Sequence, residues 1–314
     1  MAKTKKLTDT LWVEKYRPKR VEDYIFHDAR QREAIYNMIA EKSIPHLLFT
    51  GPPGSGKTTL AQILIAAMEL PDMDVLTINA SDENSVDVIR DKIKNFISSA
   101  AFGDYKIVHL EEADYITPAG QGIMRRLMED YADSARFVLT GNYEHKITPA
   151  IKSRCQRYHF KSADVNDIAE YLVTILASEK VQFNLDVLDK YIAAAYPDIR
   201  SILQLVQQHS VNGVLLPPPN EATSGDYKFQ LLDLIERDKW TQARTIACAN
   251  VLPEEWEEVY RFLYENISRA PKMADDQSKW EEAIIIIAEH LYKHSICADP
   301  EINAAAMFIR LGQL

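Results

Sequence analysis

The chain has 314 residues, 46% hydrophobic and 26% charged, enough to bury one large core and one or two smaller ones. A formal net charge of -10 excludes a surface coated with DNA-binding basic residues, so any nucleic-acid contact has to be local. No apolar stretch approaches the roughly 20 residues that cross a bilayer, the basic residues 1–6 lead straight into polar sequence, and Cys155, Cys248 and Cys297 lack the spacing of a zinc or redox pair. The expectation is a soluble, unprocessed chain with buried thiols in a reducing compartment, the cytoplasm.

In chain order, residues 46–50, 75–79, 106–110 and 136–140 are short apolar runs of strand length. Residues 58–69, 86–100 and 119–131 between them carry apolar residues at three- and four-residue spacing. This alternation predicts a parallel sheet with helices on both faces. After Phe160 the strand signal stops. Residues 164–178, 185–195 and 198–211 read as three helices, with Asp164, Asn184 and Asp198 at N-cap positions. The stretch 217–225, opening on three prolines, has linker composition. Beyond it 227–237, 241–249, 254–269, 279–294 and 301–314 read as helix. The predicted organisation is an α/β domain over 1–160, a three-helix unit over 161–215 and an all-α domain over 226–314. The run Ile284-Ile285-Ile286-Ile287 fits either plain core or a surface buried against other subunits.

Gly51-Pro52-Pro53-Gly54-Ser55-Gly56-Lys57-Thr58 fits G-x-x-x-x-G-K-[ST] and lies between a predicted strand and a predicted helix, which is the context a phosphate-binding P-loop requires. Its glycines let backbone N–H groups close around phosphates, Lys57 reaches the β/γ oxygens, and the Thr58 hydroxyl holds magnesium. With Thr59 these residues form the expected binding set for ATP and Mg2+. A P-loop also needs an acidic strand end, which Lys106-Ile107-Val108-His109-Leu110-Glu111-Glu112 supplies. Glu111 is assigned to the metal and Glu112 to polarising the attacking water, with Asp114 either orienting this pair or capping the next segment. The usual pair is Asp-Glu, so the extra methylene of Glu111 displaces its carboxylate by about one C–C bond.

Further landmarks follow in order: Trp12-Val13-Glu14-Lys15-Tyr16-Arg17-Pro18, Asn79-Ala80-Ser81-Asp82-Glu83, Val88-Ile89-Arg90-Asp91-Lys92-Ile93-Lys94, Thr140-Gly141-Asn142-Tyr143, Ser153-Arg154-Cys155 and Pro197-Asp198-Ile199-Arg200. Together with the P-loop they resemble the clamp-loader branch of the AAA+ proteins, particularly small subunits of replication factor C and the large loader subunit of tailed bacteriophages, over about residues 11–211. The resemblance implies that Trp12, Tyr16, Arg17 and Pro18 wrap the adenine side of the nucleotide. It makes Asn142 the sensor 1 residue, Arg154 an arginine that enters the neighbouring subunit's ATP site, and Arg200 the sensor 2 residue that couples a helical lid over 161–215 to the phosphates. It gives Gln121 the coupling of DNA-binding elements to the nucleotide site, and Arg90 and Lys94 contacts to DNA phosphates. The spacing of these two also suits a solvated helix face.

The same resemblance implies a DNA- and clamp-stimulated ATPase that loads a sliding clamp onto primer-template DNA, within a ring of five subunits held by a collar over 226–314. The compartment is the host cytoplasm if a bacteriophage encodes the chain. Two rivals keep the fold: an ATP-binding scaffold that hydrolyses slowly because of Glu111, and another AAA+ DNA motor for branch migration or initiation. The second is disfavoured because the last third of the chain lacks an evident basic recognition helix.

Overall fold

The computed structural model describes residues 11–26, 28–82, 86–218, 227–253 and 255–314, with 86–89 by backbone only. The basic N-terminus, Glu83, the side chains of Val88 and Ile89, most of the proline-rich stretch and Glu254 lie outside the described residues. The chain divides into two units, one ending at Asp164 and one running from Val165 to Leu314.

In the first unit the elements are α1 (Trp12–Lys15), α2 (Ala29–Glu41), β1 (Leu47–Thr50), α3 (Lys57–Ala67), β2 (Val75–Asn79), α4 (Val86–Ser98), β3 (Lys106–Glu111), α5 (Pro118–Asp130), β4 (Ala135–Gly141), α6 (Pro149–Lys152) and β5 (Gln156–His159). The five strands are parallel in the order β2-β3-β4-β1-β5. Side chains alternate across a strand, so each strand feeds two cores. Leu48, Val108, Leu110, Phe137 and Leu139 pack with Ile93 and Ile97 of α4 and Met124, Leu127 and Met128 of α5. Leu47, Phe49, Ile107 and Val138 pack on the other face with Ile35 and Met38 of α2 and Leu60 and Leu64 of α3. Covering both faces explains the continuous apolar runs. Because all strands point one way, Thr50, Glu111 and Gly141 end along the same edge, where ligands bind in sheets of this kind.

Besides the single-turn helices α1 and α6, two longer elements of this unit escaped the sequence reading. β5 pairs with β1 from Leu47↔Gln156 to Thr50↔His159, but three of its four side chains are exposed and only Tyr158 packs inward, 5.8 Å from the Phe49 ring. An edge strand with one apolar contact leaves no hydrophobic run to read. α2 buries only Gln31, Ile35 and Met38 among polar residues, and is capped by the Asp28 carboxylate, which accepts the Arg30 N–H at 2.8 Å.

The second unit contains α7 (Val165–Ser178), α8 (Leu185–Ala195), α9 (Ile199–His209), β6 (Ser210–Val211), β7 (Val214–Leu215), α10 (Tyr227–Glu236), α11 (Trp240–Asn250), α12 (Trp256–Asn266), α13 (Pro271–Ala274), α14 (Gln277–His294) and α15 (Pro300–Gln313). Asn184 caps α8 and Asp198 caps α9, accepting the N–H of Asp186 at 2.8 Å and of Arg200 at 2.9 Å. The helix expected to run to 211 stops at His209. Asn212 and Gly213 take φ of 52° and 78° and turn the chain into the antiparallel ribbon β6–β7, which Gln182 joins through its N–H to Gly213 O and its carbonyl from Leu215 N, both 2.8 Å. Asn-Gly between valines is itself a hairpin signal.

One core runs from Ala193 of α8 through Trp256 and Tyr260 of α12 to Phe308 and Leu311 of α15. Asn266 Nδ2 donates to Ala193 O at 3.1 Å, and Arg269 pairs with Asp189 of α8 at 3.0 Å, so the helices before and after the proline-rich stretch pack into one unit. The isoleucine run divides: Ile286 and Ile287 are buried, whereas Ile285 is 57% exposed. Successive helical residues turn by about 100°, so four in a row cannot share one core.

Candidate nucleotide site

The P-loop fills the turn from β1 to α3. Gly51, Gly54 and Gly56 have φ of 147°, 72° and 83°. A Cβ on Gly51 would lie 2.3 Å from the Phe160 carbonyl oxygen, and one on Gly56 would lie 2.7 Å from the Tyr24 hydroxyl. Conformation and space both demand glycine there. Burial raises the Tyr24 pKa, so its hydroxyl keeps its proton and makes a long donation, 3.5 Å, to Ser55 O. Gly56 is the N-cap of α3, and among the described residues no side chain caps that terminus, whose N–H groups face the loop as a phosphate site requires. Lys57 is buried, with Nζ donating to Gly51 O at 2.9 Å and Pro52 O at 2.6 Å. These are carbonyls that an ammonium exchanges readily for phosphate oxygens. Ser55 Oγ closes the loop through Pro52 O at 2.8 Å.

Thr58 and Gln62 are four apart on α3 and share a face. Gln62 Nε2 donates to Glu111 Oε1 at 3.2 Å, which brings the carboxylate beside α3 about one turn from Thr58. A hydroxyl and a single carboxylate are hard oxygen donors of the kind Mg2+ accepts alongside substrate phosphates, so these residues fit that ion. His109 Nδ1 lies 3.8 Å from Glu111, but burial pushes the histidine down to about 4, so near neutral pH it is uncharged and the contact is not an ion pair. Because the site needs a carboxylate more than a given reach, Glu111→Asp is expected to retain ATPase at limiting magnesium within about threefold, and Glu111→Ala to lose roughly 100-fold. Equal rates for Ala and wild type would remove Glu111 from the metal site.

Glu112 leaves β3 in the left-handed conformation, φ 54° and ψ 41°, which costs a non-glycine residue about 1 kcal/mol. Asp114, 5% exposed, accepts the N–H of Asn142 and of Tyr143, both at 3.2 Å. Gly141 belongs to the same contact, since a Cβ there would lie 2.8 Å from Asp114 Oδ1. Asp114 therefore ties the segment after β3 to the end of β4, while α5 is capped by Thr117. Gln121 is buried, donating to Ile116 O at 3.0 Å and Lys146 O at 2.9 Å and accepting from Thr148 N at 2.7 Å. It joins α5 to the loop that follows Asn142.

Arg17 Nε donates to Thr59 Oγ1 at 3.2 Å, which brings the segment of Trp12, Tyr16 and Pro18 to the start of α3. Arg154 follows α6; it is ion-paired with Glu129 of α5 and donates to Ala150 O at 2.7 Å. Beside it, partial burial pushes the Cys155 thiol up to about 12, so near neutral pH it stays protonated. Lys94 is exposed on α4, and Arg90 is half-buried with Nε donating to Asp91 at 2.8 Å. Arg200 lies exposed in the first turn of α9, in the second unit. Tyr24, Gln62 and Glu129 were missed, because their partners lie 31, 49 and 25 residues away in the chain and they belong to no motif.

Residues 47–163, from β1 past β5, match the AAA model, described as the ATPase family associated with various cellular activities. The replication factor C small subunit of Saccharolobus solfataricus is 35% identical over 256 residues, covering 76% of this chain and 74% of that protein. The one from Methanococcus vannielii is 37% identical over 242 residues, covering 74% and 76%. This chain belongs to the replication factor C small-subunit family. The small subunit of Methanocella arvoryzae is 39% identical over 203 residues, and there the match spans 63% of each chain. These relatives are archaeal, and the bacteriophage affiliation expected from the sequence draws no support from them. Among solved structures, a Thermotoga maritima RuvB variant superposes with a TM-score of 0.57 at 14% identity, covering 79% of this chain and 90% of that one. At that identity the likeness is one of fold. No helix among the described residues is long and apolar enough to cross a membrane.

Proposed function

We propose that this family member is the ATPase subunit of a DNA sliding-clamp loader, which uses ATP to place a ring clamp on primer-template DNA. The observation that carries the reading is the meeting of a glycine-built phosphate loop, the Glu111–Glu112 strand end and the Asp114-held Asn142 at one edge of the sheet in a chain of this family. In this reading Lys57 trades its carbonyl partners for the β/γ oxygens, while Thr58 and Glu111 hold Mg2+, which supplies charge neutralisation when bound. Glu112 polarises the attacking water, Asn142 bonds it or the γ-phosphate, and Arg154 reaches the neighbour's site. Trp12, Tyr16, Arg17 and Pro18 enclose the adenine. Arg200 couples a lid over 161–215 to the phosphates, and a collar over 226–314 joins five subunits in a ring. ATP then favours the DNA-gripping arrangement, and loss of the γ-phosphate releases clamp and DNA.

DNA recognition is through phosphates and so is structural rather than sequence-specific. Arg90 and Lys94 make these contacts, and Gln121, bonded on both sides, transmits them toward Asn142. The deciding measurement is ATPase rate with primed DNA and a cognate clamp. Wild type is expected to be stimulated at least about tenfold, and reversing Arg90 and Lys94 to Glu should abolish DNA stimulation, keep basal turnover, and lower the salt slope of DNA binding by about two. An unchanged slope would make this a solvated face. No stimulation in wild type would defeat the loader reading. One observation favours a slow ATP-binding scaffold instead, namely that Gln62 engages a Glu111 oxygen that a metal would use; basal turnover no higher than that of Glu112→Gln would select it.

A further inference from the structure

Glu129 belongs to none of the nucleotide-site motifs, yet it forms the ion pair that links Arg154 to α5. We propose that Glu129 is the positioning residue for Arg154, holding the guanidinium ready for the phosphates of the neighbouring subunit; this rests on the reading of Arg154 as acting in trans. A guanidinium carries five N–H donors in a planar fork. Nη1 donates to Ala150 O at 2.7 Å and Ser153 Oγ at 3.3 Å, and Nη2 donates to Glu129 Oε1. Among the described residues two of the five N–H groups have no acceptor and remain for a phosphate oxygen, so Arg154 can act without leaving Glu129. Ala150 and Ser153 are chain neighbours that hold one edge of the fork. Glu129, 25 residues away on another helix, fixes its direction against the body of the domain.

A long arginine loses much rotamer freedom on meeting a phosphate, and a carboxylate that has already restricted it lowers that cost at the transition state. The two side chains are 32% and 41% exposed, so water screens the pair and it contributes little to stability. Glu129→Ala should therefore fold and melt normally, and its effect should appear in turnover. A carboxylate that merely parked the arginine would give the opposite sign, since removing it would raise the rate.

Mixed assemblies test this, isolated through two affinity tags so that each contains both variants. Pairing Arg154→Ala with Glu112→Gln leaves one kind of complete site, which joins Glu112 of the first subunit to Arg154 of the second. Adding Glu129→Ala to the subunit that donates the arginine is expected to lower kcat about five- to tenfold, with KM for ATP within about twofold. Glu129→Gln keeps an oxygen acceptor and should recover most of the loss. Adding Glu129→Ala to the other subunit, whose arginine is already gone, should leave the rate unchanged. An equal loss in both placements marks a general structural role and overturns the proposal, as does an unchanged or raised rate in the first. If the starting mixture regains no ATPase before Glu129 is touched, the trans reading of Arg154 fails and this proposal falls with it.

Discussion

Arg154→Ala is expected to bind ATP with near-normal affinity and to hydrolyse it about 10³- to 10⁵-fold more slowly, the range over which an arginine supplied to a P-loop site acts. The residue holds no position in the loop that grips the nucleotide: its partners are Ala150, Ser153 and Glu129, all on or beside α5 and α6. A rate loss alone would not say which site the arginine serves. Mixing does, because the Arg154→Ala subunit keeps Glu112 and the Glu112→Gln subunit keeps Arg154. Each parent assembly should be nearly inactive, and the mixture should regain measurable ATPase. Clamp loading need not return with it, since several sites firing together can be required. If subunit exchange is demonstrated and the mixture stays as inactive as its parents, Arg154 does not act across an interface.

The second large effect separates binding from turnover within one subunit. Lys57→Ala should weaken ATP binding on the order of 10²- to 10³-fold by calorimetry, because a buried ammonium is removed from beside the phosphates and nothing else in the loop carries positive charge. Glu112→Gln should leave affinity unchanged and lower turnover on the order of 10²- to 10⁴-fold, the span of general-base contributions. Normal hydrolysis by Glu112→Gln would move the water-polarising role elsewhere on this edge. Tight binding by Lys57→Ala would mean that the α3 terminus and the glycine turn dominate phosphate capture.

The P-loop was legible because its chemistry is local. Eight consecutive residues set the backbone angles, the ammonium and the hydroxyl, and flanking apolar runs place them between a strand and a helix. The same holds for Asn184 and Asp198, since a cap needs only the next two or three residues. Polar Gln156–His159 hid β5, because an edge strand needs pairing more than burial, and the Asn212-Gly213 turn was overrun by the apolar spacing of the preceding helix.

From its residues alone, then, this protein is recognisable as an α/β nucleotide binder with a helical second half. Local geometry and binary patterning carry that much. Which side chains meet was decided only in three dimensions. Gln62 reaches Glu111, Arg17 reaches Thr59, Asp114 takes the N–H of Asn142, and Glu129 takes Arg154, across separations of 49, 42, 28 and 25 residues. The Gln62–Glu111 and Asp114–Asn142 contacts join the ends of β3 and β4 to α3 and to each other, and so depend on β4 lying between β3 and β1, an order that no local propensity encodes. It follows from burying two apolar faces at once, which is a property of the whole domain.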